Sequence, residues 1–101
     1  MAYRIIWSPE AIEDLESIGE YIERDSFHYA KTVISKIITS TDNLGNFPEI
    51  GRMVPEIAKK FIREIFLYSY RIIYLIDNNV IKILGIIHGK RDFNSLKDRF
   101  E

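Results

Sequence analysis

The sequence has no cysteine, only three prolines and five glycines, and no unbroken apolar run longer than a few residues among its 101 positions. Without cysteine there is neither a disulfide framework nor a thiolate zinc site, a composition that suits a reducing cytoplasm. Without a stretch of ~20 apolar residues, no helix here spans a bilayer. The start, Met1-Ala2-Tyr3-Arg4-Ile5-Ile6-Trp7 followed by Pro9 and a run of acids, lacks the apolar segment and small-residue cleavage site of a secretory signal. These absences point to a soluble, cytoplasmic protein with no membrane partner. Histidine is scarce as well. His28 and His88 are the only two, so neither a metal nor another cofactor is expected.

What is present describes one globular domain, residues 1–101, with 47% hydrophobic residues. A chain of this size hides roughly two-thirds of its unfolded surface, enough for a thin core. The net charge of −1 conceals a split. Residues 1–50 carry nine acids against four bases, and residues 51–101 carry ten bases against six acids. The second half therefore suits a polyanion or an acidic partner, unless acids and bases simply face each other across the fold.

Tyr3 to Trp7 reads as a short strand of β-branched and aromatic residues. Ser8-Pro9-Glu10 then signals a helix start: a hydroxyl cap, a proline where its missing N–H costs nothing, and an acid in the first turn. Ala11, Ile12, Leu15, Ile18, Tyr21 and Ile22 recur at three and four, which marks the buried stripe of a first helix. Its outer face of Glu10, Glu13, Glu16, Glu20 and Glu23 is acidic. Asp25-Ser26 caps a second helix with the stripe Phe27, Ala30, Val33, Ile34, Ile37, Ile38, Thr41 and Leu44, closed by Gly45-Asn46 as a C-cap. So short a break predicts an antiparallel helical hairpin.

Residues 47–55, with two prolines and Gly51, form a loop that no helix or central strand accepts. Phe61–Leu67, Tyr70–Ile76 and Val80–His88 then read as three strands, and Asn78-Asn79 as the two-residue loop of a hairpin. Lys90 to Glu101 has the makings of one short C-terminal helix. The fold class is α+β, ordered β-α-α-β-β-β, with a helical hairpin on one face of a mostly antiparallel sheet. With Asp77 opposite Val80, Arg71 falls opposite Ile86, and His88 lies one diagonal step away on the same face. Arg71, Ile73, Leu75, Lys82, Leu84, Ile86 and His88 then form an open face, continued by Lys90-Arg91. Tyr70, Ile72, Tyr74, Ile76, Ile81, Ile83 and Ile87 turn toward the helices.

Ser8-Pro9-x-Ala11, Pro48-x-x-Gly51-Arg52-x-x-Pro55-Glu56, Arg63-Glu64-Ile65, Tyr70-Arg71-Ile72-x-Tyr74 and His88-Gly89-x-Arg91-Asp92 follow one another in this order of elements. Together they resemble the RelE/ParE superfamily of type II toxin–antitoxin toxins, from the first strand to Asp92. The Gly-Arg-x-x-Pro-Glu stretch and the Arg-Glu-Ile before the Tyr-Arg strand are most similar to the ParE branch. That resemblance implies a toxin held inactive by a cognate antitoxin and, for ParE, poisoning of DNA gyrase. The RelE branch implies cleavage of mRNA on the ribosome instead, and a third reading is a non-toxic binding module on the same fold.

A ribonuclease needs cations for the scissile phosphate and groups that move protons. The resemblance places Arg71, His88 and Arg91 as its catalytic candidates, and Arg52, Arg63 and Lys90 as binding residues. RelE also carries lysines on the preceding strand, at places that fall near Ile62 and Glu64 here, and a late catalytic tyrosine, whereas no tyrosine follows Tyr74. An inhibitor of gyrase needs only a surface, which these departures leave intact. A pI near 6.1 also favours a protein target over ribosomal RNA. Apart from the resemblance, Arg71 reads as a structural arginine paired with Glu64 or Asp92, His88 as a strand-end surface residue, and Arg91-Asp92 as an exposed pair. Arg52 and Arg63 read as solvated or antitoxin-facing.

Overall fold

A computed structural model describes residues 2–89 and 93–100, the side chains of Ser95 and Phe100 excepted. Its elements are β1 (Arg4–Trp7), α1 (Pro9–Glu23), α2 (Phe27–Asn43), β2 (Arg52–Met53), β3 (Ile62–Leu67), β4 (Tyr70–Asp77), β5 (Val80–His88) and a C-terminal 3-10 helix, Phe93–Phe100. The strands form one sheet in the order β1-β5-β4-β3-β2, with β1 parallel to β5 and every other pair antiparallel. The α+β reading holds. One element is new: two residues of the proline-flanked loop pair with β3 as the short edge strand β2. An edge is the place in a sheet where such a loop fits.

Ser8 caps α1 through its Oγ, which accepts from Ala11 N at 3.1 Å, and Pro9 occupies the first helical position. Ser26 does the same for α2 through Tyr29 N. Gly45 follows the end of α2 as expected, without left-handed geometry: no glycine takes positive φ, and Leu44 caps α2 in helical geometry. The need for glycine is steric. A Cβ at Gly45 would sit 2.9 Å from the Tyr3 carbonyl, while the Gly45 carbonyl accepts from Tyr3 N at 2.8 Å. Glycine there lets the end of α2 press against the start of β1.

Two cores form, one on each face of the sheet. The first, under the helices, includes Ala11, Val33, Ile37, Leu44, Ile72, Tyr74, Ile81, Ile83 and Ile86. Ile12, Tyr21, Phe27 and Ile38, expected in the helical stripes, are exposed instead. The second core covers the face expected to be open. It joins Val54 and Ile62 to Ile73, Leu84, Ile87, Phe93 and Leu96, so the loop before β3 and the C-terminal 3-10 helix roof that side.

The β4–β5 ladder follows the expected register from Asp77↔Val80 to Tyr74↔Ile83, and then slips. Ile73 pairs with Gly85, Arg71 with Ile87 and Tyr70 with His88. This is a β-bulge, which leaves Leu84 without an opposite residue and changes which side chains share a face. Ile86 moves to the helix-side core and Ile87 to the other, the reverse of the regular hairpin. Arg71 and His88 therefore lie on opposite faces. Other elements take up the backbone groups at the bulge. Leu84 O accepts from Ser8 Oγ at 3.4 Å and Arg99 Nη1 at 3.2 Å, and Ile86 N donates to Asp14 Oδ2 at 3.0 Å. Gly85 leaves room for this pair: a Cβ there would lie 2.6 Å from Arg99 Nη1 and push the guanidinium aside.

Candidate functional site

The second-core face carries a four-residue charge network on three strands and a turn. Glu64, in the middle of β3, has a side chain with no exposed surface. Its Oε2 accepts from Arg52 Nε at 2.7 Å and its Oε1 from Arg71 Nε at 2.6 Å. Register brings these together: Arg52 pairs with Glu64 across β2–β3, and Glu64 with Ile73 across β3–β4, one same-face step from Arg71. The outer edge of the Arg71 guanidinium meets Glu56, with Nη1 and Nη2 each 2.8 Å from one carboxylate oxygen. This two-bond fork is the strongest geometry available to an arginine and a carboxylate.

Aromatic rings support both guanidiniums. The Arg71 Cζ lies 5.1 Å from the Phe93 ring centre, and the Arg52 Cζ lies 4.9 Å from that of Phe66. Hydrogen bonding to Glu56, opposed by burial and then reinforced by Glu64, raises the Arg71 pKa further above its already high value. The same Arg71 bond holds the Glu56 carboxyl below the usual carboxylate range. Arg71 is 12% exposed and Glu56 39%, while Arg52 remains 57% exposed.

Arg63 lies on the opposite side of β3, in register with Tyr74, and its Nη1 donates to Gly51 O at 2.8 Å. Its Nε is buried with no hydrogen-bond partner among the described residues. Tyr74 anchors the same loop. Its hydroxyl donates to Pro48 O at 2.7 Å and accepts from Gly51 N at 3.0 Å, and burial raises its pKa. A Cβ at Gly51 would lie 2.5 Å from Glu64 O and 2.6 Å from that hydroxyl. The Pro48-x-x-Gly51-Arg52 motif is therefore a packing device that delivers Arg52 to Glu64.

His88 belongs to a different place. Its ring meets Tyr70 edge-on at 5.5 Å and lines a groove of about 650 Å³ between α1 and the end of β5, with Asp14, Glu20, Tyr21 and Arg24. Burial, then nearby Tyr29 and Tyr21, raise the Tyr70 pKa. The groove ends near the Asp14–Arg99 ion pair at 2.7 Å, which raises the Arg99 pKa. Among the described residues, no three His, Cys, Asp or Glu side chains come together as a metal would require.

Of the sequence candidates, Arg52 and Arg71 meet through Glu64, whereas Arg63 and His88 point elsewhere. Lys90, Arg91 and the Asp92 alternative for Arg71 lie outside the described residues. The Arg71–Glu64 pair matches the structural reading of that arginine. Glu56, Phe66, Phe93 and the Asp14–Arg99 pair were not singled out from the sequence. Glu56 had a signal, because it sits in the same motif as Arg52.

A family model described as the ParE toxin of the type II toxin–antitoxin system parDE matches residues 5–93. Y4kP of Sinorhizobium fredii is 36% identical over 92 residues, 89% of this chain and 92% of its own length. Toxin RelE2 of Caulobacter vibrioides is 29% identical over 89 residues, 87% of this chain and 97% of its own length. The structure of a chromosomal ParDE system from Pseudomonas aeruginosa shares the fold, with a TM-score of 0.72 and 19% identity over 86% of this chain and 96% of that one. The chain belongs to the ParE toxin family of type II toxin–antitoxin systems, within the RelE/ParE superfamily.

Proposed function

We propose that this toxin acts as a ParE-type inhibitor of DNA gyrase, docking through its own surface, and that a cognate antitoxin neutralises it. The observation that carries this reading is Glu64. Near the place where the RelE branch has a lysine, this chain holds a fully buried carboxylate that engages both Arg52 and Arg71. A cation already paired with two carboxylates is poorly placed to stabilise charge developing on a scissile phosphate. The bulge adds to this by setting His88 on the other side of the sheet from Arg71. A docking surface tolerates both features.

The test is a supercoiling assay with purified gyrase. Inhibition, together with accumulation of cleaved DNA, is the expected result; supercoiling untouched at large toxin excess would sink the proposal. A RelE-like ribosome-dependent endonuclease remains the second reading, favoured by the similarity to a relative named RelE2. Codon-specific cuts in translated mRNA on induction, with gyrase unaffected, would establish it instead.

A further inference from the structure

We propose that the groove between α1 and the end of β5 docks an arginine-bearing, DNA-contacting segment of gyrase; this rests on the gyrase reading and names the surface behind it. β1 flanks β5 only from Val80 to Ile83. Beyond that point the strand faces α1 across an open trough of about 650 Å³, the size of a cleft that holds a ligand. The trough lies on the helix side of the sheet, away from the Arg71 network.

The chain itself demonstrates what this groove accepts. At one end the Arg99 guanidinium sits on Asp14, with Nη1 2.7 Å from Oδ2 and Nη2 3.2 Å from Oδ1. At the other the Arg24 guanidinium lies 6.0 Å from the centre of the Tyr21 ring. A carboxylate and an aromatic face are the two ways a protein holds a guanidinium, and each end uses one of them. The stretch between offers both. Glu20 makes no ion pair among the described residues, and Tyr21 is 68% exposed although its spacing marks it for the core. Tyr70 and His88, ring against ring, form the facing wall.

Charge decides the class of occupant. Glu10 and Glu13 add negative potential at the Arg99 end, so the groove draws a cation and repels a phosphate. Arginine suits it better than lysine, because only a planar guanidinium can lie flat on the rings. An enzyme that works on DNA must carry such cations where it holds the phosphates. A groove that seats guanidiniums takes them away from the DNA.

The first test leaves gyrase out. Fluorescence anisotropy at low salt measures binding of a labelled pentapeptide alternating glycine and arginine to the full-length protein, beside its lysine and glutamate counterparts. Wild type should bind the arginine peptide more tightly than the lysine peptide, and the glutamate peptide least. Tyr21→Ala should weaken arginine-peptide binding about two- to fivefold, the worth of one exposed cation–π contact. Tyr21→Ala/Glu20→Gln should weaken it about tenfold in all, while Glu49→Gln, an equal charge change on the loop before β2, should match wild type. The second test puts the double variant in the supercoiling assay, where half-inhibition should need at least about tenfold more toxin than wild type. Both substituted side chains are exposed, so melting temperatures should stay at the wild-type value. If the double variant does not fold, Ser17→Lys, which puts a cation into the groove and removes no packing, should act in the same direction. Equal affinity of wild type and double variant for the arginine peptide, or equal binding of the glutamate peptide, overturns the proposal whatever gyrase does. A double variant that inhibits gyrase as well as the wild type overturns the docking site and leaves the gyrase reading standing. If that variant instead loses a co-expressed antitoxin, the groove belongs to the antitoxin and the proposal falls. Supercoiling untouched by wild type overturns both.

Discussion

Removing the Arg71 side chain would leave the Glu64 carboxylate fully buried, with Arg52 as its remaining partner in the network. Breaking a buried pair from one side costs more than the pair is worth, because the orphaned charge keeps its desolvation penalty. Arg71→Ala should therefore destabilise the protein by about 3 kcal/mol. Glu64→Gln in the same background should restore much of that loss, since it removes the stranded charge. Urea denaturation of the two variants checks this, and equal stability of single and double mutants would contradict it. Any loss of toxicity in Arg71→Ala is thus a statement about folding first. At this scale the sequence was partly legible. Glu64 could be named as a partner of Arg71 because the two sit on adjacent strands. Glu56 could not, because its position depends on how the turn after β2 folds back over the sheet.

At the scale of elements, the strands and helices followed from local pattern, while the bulge in β5 did not. The Asn78-Asn79 loop sets the first pairs of the hairpin correctly, and Asn78 takes the positive φ, 52°, expected of such a loop. Within the hairpin, Gly85 is a local sign of irregularity, since an isolated glycine in a strand suggests a bulge, but it does not set how the faces rearrange. The reason lies in distant parts of the chain. Past Ile83, β1 leaves the sheet to start α1, and the bonds that hold the bulge come from Ser8, Asp14 and Arg99. Ser8 and Asp14 at the start of α1, with Arg99 of the 3-10 helix, thus hold the bulge that sets which face His88 occupies. Asp14 is central among them, since its Oδ2 accepts from both Ile86 N and Arg99 Nη1. Asp14→Ala strands a partly buried backbone N–H and an arginine, and should cost about 1–3 kcal/mol. Amide hydrogen exchange offers a sharper reading than melting, with protection of Ile86 expected to fall more than that of Ile81 at the other end of the strand. Equal loss at both would mean that Asp14 supports the domain generally rather than the bulge.

For the molecule as a whole, the charge split resolves into two arrangements. The acids of α1 stay largely on the surface, apart from Asp14, which draws Arg99 across from the other half. The second half neutralises Arg52 and Arg71 with its own Glu56 and Glu64. The sheet is closed unequally as well. Two long helices cover the first core, whereas the second relies on a short turn and on Phe93 and Leu96 of the C-terminal 3-10 helix, 7% and 5% exposed. Burying two such side chains contributes about 1.5–3 kcal/mol each. Against a total of about 5–15 kcal/mol for a domain of this size, that share is large. A chain stopped after Gly89 also loses Arg99 and, with it, one bond at the bulge. It should melt at markedly lower temperature and bind a hydrophobic dye at roughly ambient temperature. The double variant Phe93→Ala/Leu96→Ala should fall between this chain and the wild type, because it keeps Arg99. If truncation left the melting temperature unchanged, the second core would not depend on the C-terminal helix, and the sheet face bearing Arg71 would be stable without its roof.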